Sequence, residues 1–141
     1  MRYHTTVAIP VPAARAWQTL AAIPDWPNWT PTVTAIAVDG APGAAPEVGW
    51  AVTIKQPGRG AVEYRIDVVE PGRRFRWGNA KFGVRQSADH VVVPDGEQAC
   101  TVELTFAMEG PLGGLLGALG AGKIRQMVDA EANALREHLA P

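Results

Sequence analysis

His90 is the residue of this sequence whose type and position best suit chemistry. It lies in a run with strand character, residues 84–93, where alternation places it on the same face as Gln86 and several small or apolar side chains. Because imidazole changes charge near neutral pH, an inward-facing His90 could orient a ligand carbonyl or move a proton. The alternative is a buried structural histidine bonded to a neighbour such as Tyr64. Asp89 directly precedes it and therefore points to the opposite face, which leaves the ring without an orienting carboxylate.

Metal and cofactor chemistry find no support in the sequence. The three histidines are scattered, with His4 and His138 near the ends, and the single Cys100 excludes an internal disulfide and a cysteine-based zinc site. Residues 117–123 match GxxxxGK, the beginning of a phosphate-binding loop, but Ile124 stands where the magnesium-binding Ser or Thr belongs. We therefore predict no metal site and no cofactor.

Composition narrows the classes of protein to which the chain can belong. Hydrophobic residues make up 47% of the 141 residues and charged residues 19%, as in an ordinary globular core. Thirteen basic residues against fourteen acidic ones give a net charge of −1, whereas a nucleic-acid-binding domain normally carries a basic excess. The sequence has neither a signal-peptide pattern nor an apolar run of about 18 residues. We expect one cytoplasmic domain, residues 1–141, with no integral membrane segment, no nucleic-acid partner and an undefined oligomeric state.

Alternation of apolar and polar residues predicts most of the regular structure. A β-prone first segment meets the Pro10-Val-Pro12 breaker, and residues 13–22 then form a short helix. Trp26 and Trp29, three residues apart, share one face of a second helical turn among closely spaced prolines. The remaining runs are separated by Gly and Pro turns, as in antiparallel hairpins. The predicted strands cover residues 2–9, 33–38, 49–55, 62–68, 74–77, 84–93 and 100–108.

The C-terminal segment, residues 112–139, changes to a helical period and could cover the apolar face of such a sheet. One apolar stripe contains Ile124, Met127, Val128, Leu135 and Leu139. Four leucines, at positions 112, 115, 116 and 119, form a second stripe rotated from the first. Five glycines occur where the stripes change, and each lowers helix stability by up to about 1 kcal/mol relative to alanine. We expect a long helix that is loose or bent before Lys123.

The order of elements, together with a set of short motifs, resembles the START/birch-pollen-allergen superfamily, and within it the polyketide cyclase/dehydrase branch. The resemblance covers essentially the whole chain. The residues that carry it are Ala16-Trp17, Trp26-Pro27-Asn28-Trp29, Val48-Gly49-Trp50, the segment from Val69 to Trp77, the His90 strand, and the segment from Phe106 to Gly113.

This resemblance implies an α+β helix-grip fold, in which a curved seven-stranded antiparallel sheet wraps around a long C-terminal helix, with two short helices after the first strand. It also favours an internal ligand cavity over a solid core, because a strongly bent sheet that grips one helix leaves space inside. From strand parity and the helical stripe, the cavity wall is predicted to contain Trp29, Trp50, Ile54, Tyr64, Ile66, Phe75, Trp77, Gln86, His90, Leu104, Phe106 and Met127.

Three functions remain open at this point. The first is a carrier or sensor for a small hydrophobic molecule such as a lipid, an isoprenoid or an aromatic polyketide. The second is an enzyme of the cyclase type, which would hold a reactive poly-β-ketone while His90, Tyr64 or Gln86 polarises carbonyls or moves protons. The third is an interaction module that docks a partner through the glycine-rich segment and the Trp26/Trp29 pair.

Overall fold

A computed structural model describes residues 1–41 and 43–141, and within them one seven-stranded antiparallel sheet faces the C-terminal helices. The strand order is β1-β7-β6-β5-β4-β3-β2, so the first and last strands of the chain are neighbours. This arrangement confirms the helix-grip architecture expected from the sequence. The strands are β1 (Arg2–Ile9), β2 (Ala35–Val38), β3 (Ala51–Lys55), β4 (Val62–Glu70), β5 (Arg74–Lys81), β6 (Val84–Asp95) and β7 (Ala99–Glu109); the α-helices are α1 (Ala13–Ala21), α2 (Gly113–Leu119) and α3 (Ala121–Leu139).

Prolines determine where the two short helices after β1 lie. Pro12 occupies the N-cap of α1, with a φ of −58° that suits the start of a helix. A 3₁₀ helix, Ile23–Asn28, follows and includes Pro27, and Trp29 lies at its C-cap. The buried Trp26 indole anchors this segment, because its Nε1 donates a hydrogen bond to the carbonyl oxygen of Leu20 at 3.0 Å.

One β-bulge changes the parity expected for β4. Alternation from Tyr64 places Val68 on the inner face, but the register of β4 against β5 shifts between Ile66 and Val68. As a result Val69, rather than Val68, lies opposite Phe75 and packs against the core. The extra residue of a bulge moves every following side chain to the other face. Parity counted from the sequence is therefore wrong beyond Ile66 in this strand.

The C-terminal segment is two helices rather than one, and they meet at Gly120. The interruption lies within the stretch that was expected to be loose. The apolar stripe of α3 packs mainly against β1 and β7, with Ile124, Val128 and Leu135 buried. The Tyr3 hydroxyl fixes the position of α3 on β1 by donating a hydrogen bond to Asp129 Oδ1 at 2.7 Å.

The four leucines of the second stripe point to solvent, while Gly113 and Gly117 face the sheet. A Cβ at Gly117 would lie 2.5 Å from Met1 Cβ, so only glycine lets α2 approach this closely. The single cysteine, Cys100, is buried in β7 between β1 and β6. Among residues 1–41 and 43–141, no helix is both long and apolar enough to cross a membrane.

Candidate functional site

A small cavity of about 50 Å³ separates the inner face of the sheet from α3. Its wall combines aromatic side chains from the sheet with one face of α3, because alternate residues of β3 to β7 and helically spaced residues of α3 point at each other. The lining residues are Trp26, Val33, Ile54, Gln56, Tyr64, Trp77, Ala88, Asp89, His90, Thr105, Phe106, Met127, Val128 and Glu131.

Half of the residues predicted for the cavity wall line this space, namely Ile54, Tyr64, Trp77, His90, Phe106 and Met127. Four others, Trp29, Ile66, Phe75 and Leu104, are buried but belong to the close-packed core. Ile66, Phe75 and Leu104 share the parity of the cavity residues in their strands, but they do not border the cavity. Phe75, for example, stacks on His90 with ring centroids 4.4 Å apart.

Trp50 and Gln86, the remaining two residues predicted for the cavity wall, do not line the cavity. Trp50 precedes β3, is half-buried and lines a separate surface groove with Trp17 and Val38. A Cβ at Gly40 would overlap its indole, so the ring packs against the Gly40 backbone and not in the cavity. Gln86 does not line the cavity either, but its Oε1 accepts a hydrogen bond of 3.3 Å from the Tyr64 hydroxyl. It therefore acts on the cavity wall only through Tyr64.

His90 is buried in a cage of aromatic rings, with 3% of its surface exposed. The regular registers of β6 with β5 and β7 keep its side chain on the inner face. Its Nδ1 lies 3.2 Å from the Phe75 carbonyl oxygen, so Phe75, and not Tyr64, is its hydrogen-bond partner. Since a carbonyl oxygen only accepts, Nδ1 carries the hydrogen, and Nε2 of the neutral ring is an acceptor. Burial lowers the pKa of His90 to about 4, against weaker opposing effects of the Phe75 hydrogen bond and the Asp89 charge.

Glu131 is the ionisable group of the cavity that the sequence interpretation missed. The residue as a whole is partly exposed, yet its carboxyl lies at the cavity, where burial raises its pKa to about 8. Among the described residues, no hydrogen bond or ion pair to this carboxyl is found. The helical spacing of the sequence could have identified Glu131, since position 131 falls between Val128 and Leu135 on the buried stripe. A carboxyl on an apolar stripe is a site marker.

One side-chain contact lies where the cavity borders an adjacent surface groove. Gln56 Nε2, just after β3, donates a hydrogen bond to Met127 Sδ at 3.0 Å. Both residues also line an open surface groove of about 470 Å³ that extends past Pro31, Leu116 and other residues of the adjoining loops and α2. A thioether is a weak acceptor and Met is flexible, so this contact is readily broken. The groove and the cavity are thus two compartments with a shared wall.

The arrangement provides an acceptor and a donor on a wall that is mainly aromatic and aliphatic. At neutral pH His90 is an uncharged ring with an acceptor at Nε2, and Glu131 is protonated and can donate. A second donor is buried nearby in the core: Trp29 Nε1 has no hydrogen-bond partner among the described residues. No group of three or more His, Cys, Asp or Glu side chains suited to a metal ion occurs in the described part of the chain.

Several solved structures share this fold at low sequence identity. An aromatase/cyclase from Streptomyces sp. R1128 superposes with a TM-score of 0.76 at 14% identity, over 99% of this chain and 93% of that one. A START superfamily protein from Mycobacterium smegmatis gives 0.72 at 13% identity, over 98% and 96%. Norcoclaurine synthase from Thalictrum flavum gives 0.68 at 18% identity, over 98% and 95%. These similarities establish the fold.

Sequence comparison gives the family. The model of the family described as polyketide cyclase / dehydrase and lipid transport matches residues 1–140. No curated protein matches the chain significantly. The resemblance inferred from the sequence motifs is confirmed by this match and by the START and aromatase/cyclase structures. The chain belongs to the polyketide cyclase/dehydrase and lipid transport family, and its fold is a ligand-binding one.

Proposed function

We propose that the protein is a carrier or sensor that binds a small hydrophobic molecule in the cavity between the sheet and α3. The observation that carries this proposal is the position of two polar groups, His90 and Glu131, on the mainly aromatic wall of an unfilled cavity. A carboxyl that faces an apolar cavity without a hydrogen-bond partner loses part of its hydration, and a ligand that supplies a hydrogen bond would recover part of that cost. The ligand we expect is apolar in body, with a carbonyl oxygen facing Glu131 and a hydroxyl facing His90.

The cavity is too small for such a molecule, so binding requires it to expand. A volume of about 50 Å³ holds very few water molecules, whereas a benzene-sized cavity is about 150 Å³. Separation of Gln56 from Met127 would join the cavity to the groove of about 470 Å³. The combined space falls within the range of small-molecule sites, about 300–1,000 Å³. We therefore assign the entrance to the Gln56–Met127 contact.

A titration with 1-aminoanthracene, a compact three-ring fluorophore, tests this proposal. The wild-type protein should bind it with sub-millimolar affinity. Met127→Trp fills the entrance and should weaken binding at least ten-fold, which corresponds to 1.4 kcal/mol. Native mass spectrometry of the protein as purified should in addition detect a retained small hydrophobic molecule.

Asn133→Trp is the matched control, because it introduces the same bulky side chain on the solvent-exposed face of α3. It should leave affinity unchanged. Met127→Ala, which removes the acceptor of Gln56 Nε2, should accelerate association. Equal affinities of wild type and Met127→Trp, with both proteins folded, would reject the cavity as the binding site.

An enzyme of the cyclase or dehydrase type is the second candidate, and the opposite protonation of the two polar groups favours it. His90 Nε2 would take a proton from the carbon next to a ketone while Glu131 donates its proton to the carbonyl oxygen, which yields the enol. The low pKa of His90 makes it a weak base, and for that reason binding is our first proposal.

Exchange of the methyl protons of acetophenone with deuterium, followed by NMR, separates the two functions. An enzyme should accelerate exchange over buffer, and both Glu131→Gln and His90→Gln should reduce the rate at least ten-fold. A rate equal to that of buffer alone, in a protein that still binds 1-aminoanthracene, would leave only the carrier or sensor.

A further inference from the structure

The turn between β5 and β6 contains Phe82, an exposed aromatic residue whose presence there does not stabilise the fold. Lys81 pairs with Val84, so Phe82 and Gly83 form a two-residue hairpin loop. Their φ angles are +51° and +76°, the combination of a type I′ turn, in which Asn-Gly is strongly preferred. Phe82 is strained in this region of backbone space, and its side chain is 91% exposed, so no burial offsets the strain. An exposed aromatic ring in a strained position indicates a contact outside the molecule.

The outer face of α2 continues the apolar surface from Phe82. Leu112 lies against the hairpin, since its backbone N–H donates a hydrogen bond to the Gly83 carbonyl oxygen at 3.0 Å. The leucines that follow at helical spacing share one face of α2. We define the apolar tip as Phe82, Leu112, Leu115, Leu116 and Leu119; the four leucines are 49%, 62%, 49% and 78% exposed.

Charged residues surround the apolar tip and are mostly basic. The segment of residues 110–122 contains no charged side chain at all. Exposed cations lie at its borders: Lys81 next to Phe82, Lys123 directly after the segment, and Arg59 on the groove that Leu116 also lines. The exposed acid at the border, Glu109, lies opposite Arg85 in the β6–β7 register. Although the whole chain has a net charge of −1, this end of the molecule presents cations around an apolar centre.

We propose that the apolar tip inserts into the surface of an anionic lipid bilayer. Exposed large apolar side chains with a basic rim are the features by which peripheral proteins bind such surfaces. A second protein molecule fits less well, because a stable interface normally requires about 20–30 residues on each side and shape complementarity. Five side chains on a hairpin and a two-turn helix suffice for a bilayer, which adapts its shape. This inference does not depend on what occupies the cavity.

Sedimentation with lipid vesicles tests the inference. The protein should bind vesicles of mixed phosphatidylcholine and phosphatidylglycerol, bind pure phosphatidylcholine less, and be released from the anionic vesicles by high salt. Phe82→Asn should weaken vesicle binding about ten-fold, because the ring no longer inserts. The same substitution should keep or raise the thermal midpoint of unfolding, because Asn-Gly suits the turn. Leu119→Gln is a second variant, in α2, with the same expected loss of binding.

Val48→Asn is the matched control, since Val48 is 64% exposed but lies before β3, outside the apolar tip. It should leave vesicle binding unchanged. Failure of the wild-type protein to bind either kind of vesicle would overturn the inference, as would undiminished binding of Phe82→Asn. Self-association in buffer that Phe82→Asn abolishes would assign the apolar tip to a second copy of the chain instead.

Discussion

His90 and Glu131 make the stability of the protein depend on pH in opposite directions. The pKa of His90 is about 4, below its ordinary value of 6.5, so between these values the folded state binds fewer protons than the unfolded state. Stability therefore rises with pH across that window and is lost as pH falls towards 4. The pKa of Glu131 is about 8, above its ordinary value of 4.5, so the folded state retains a proton that the unfolded state has released. Stability from this group falls as pH rises from 4.5 to 8.

Glu131→Gln isolates the second effect, because glutamine has nearly the shape of the protonated acid and never ionises. Relative to wild type, the variant should be more stable at pH 9 by a clear margin and nearly unchanged at pH 4.5. Urea denaturation at both pH values measures this. Glu137→Gln, on the exposed face of α3, is the control and should show no such dependence. A constant difference at both pH values would mean that the Glu131 carboxyl is not buried.

The glycines of α2 are an element-scale feature with two distinct physical roles. Gly117 faces Met1 and Met108 in the close contact with the sheet, whereas a Cβ at Gly114 would meet nothing within 4 Å. Both lie in the same helix, and neither has a positive φ. One glycine is therefore required by packing, while the other only lowers helix stability.

Two alanine substitutions test that distinction. Gly114→Ala should stabilise the protein by up to about 1 kcal/mol, since alanine loses less backbone entropy in a helix. Gly117→Ala should destabilise it by about 1–3 kcal/mol, because the new methyl group overlaps Met1 Cβ. Thermal denaturation of the pair makes each variant the control of the other. Equal effects would contradict the close packing of α2.

At the scale of the whole molecule, hydropathy patterns located the strands and helices and the family resemblance gave their helix-grip arrangement, but neither described the interior. Alternation located the strands to within a few residues because each has one buried face, and it failed in β4 only where the bulge before Val68 adds a residue. Periodicity also identified the leucine stripe of α2, but a period cannot tell which face meets the sheet. The contacts of Gly113 and Gly117 decide that.

The candidate site was harder to predict for a related reason. Core and cavity wall require the same apolar residues at the same parity, so sequence alone cannot separate Phe75, which is packed solidly, from Trp77, which borders the cavity. His90 could be placed by parity, but its hydrogen bond to a backbone carbonyl leaves no trace in side-chain spacing. Glu131 was detectable, as a carboxyl on the buried stripe of α3.

Chemical labelling of the single cysteine, Cys100, reports on cooperative unfolding of the protein. Cys100 lies in β7, hydrogen-bonded between β1 and β6, with 1% of its surface exposed, and burial raises the pKa of its thiol. A thiol that is both inaccessible and protonated does not react with alkylating reagents until its strand leaves the sheet. β7 pairs with β1 on one side and with β6 on the other. Its departure from the sheet therefore disrupts most of the fold. The rate of thiol labelling therefore follows global opening, and any molecule that fills the interior slows it.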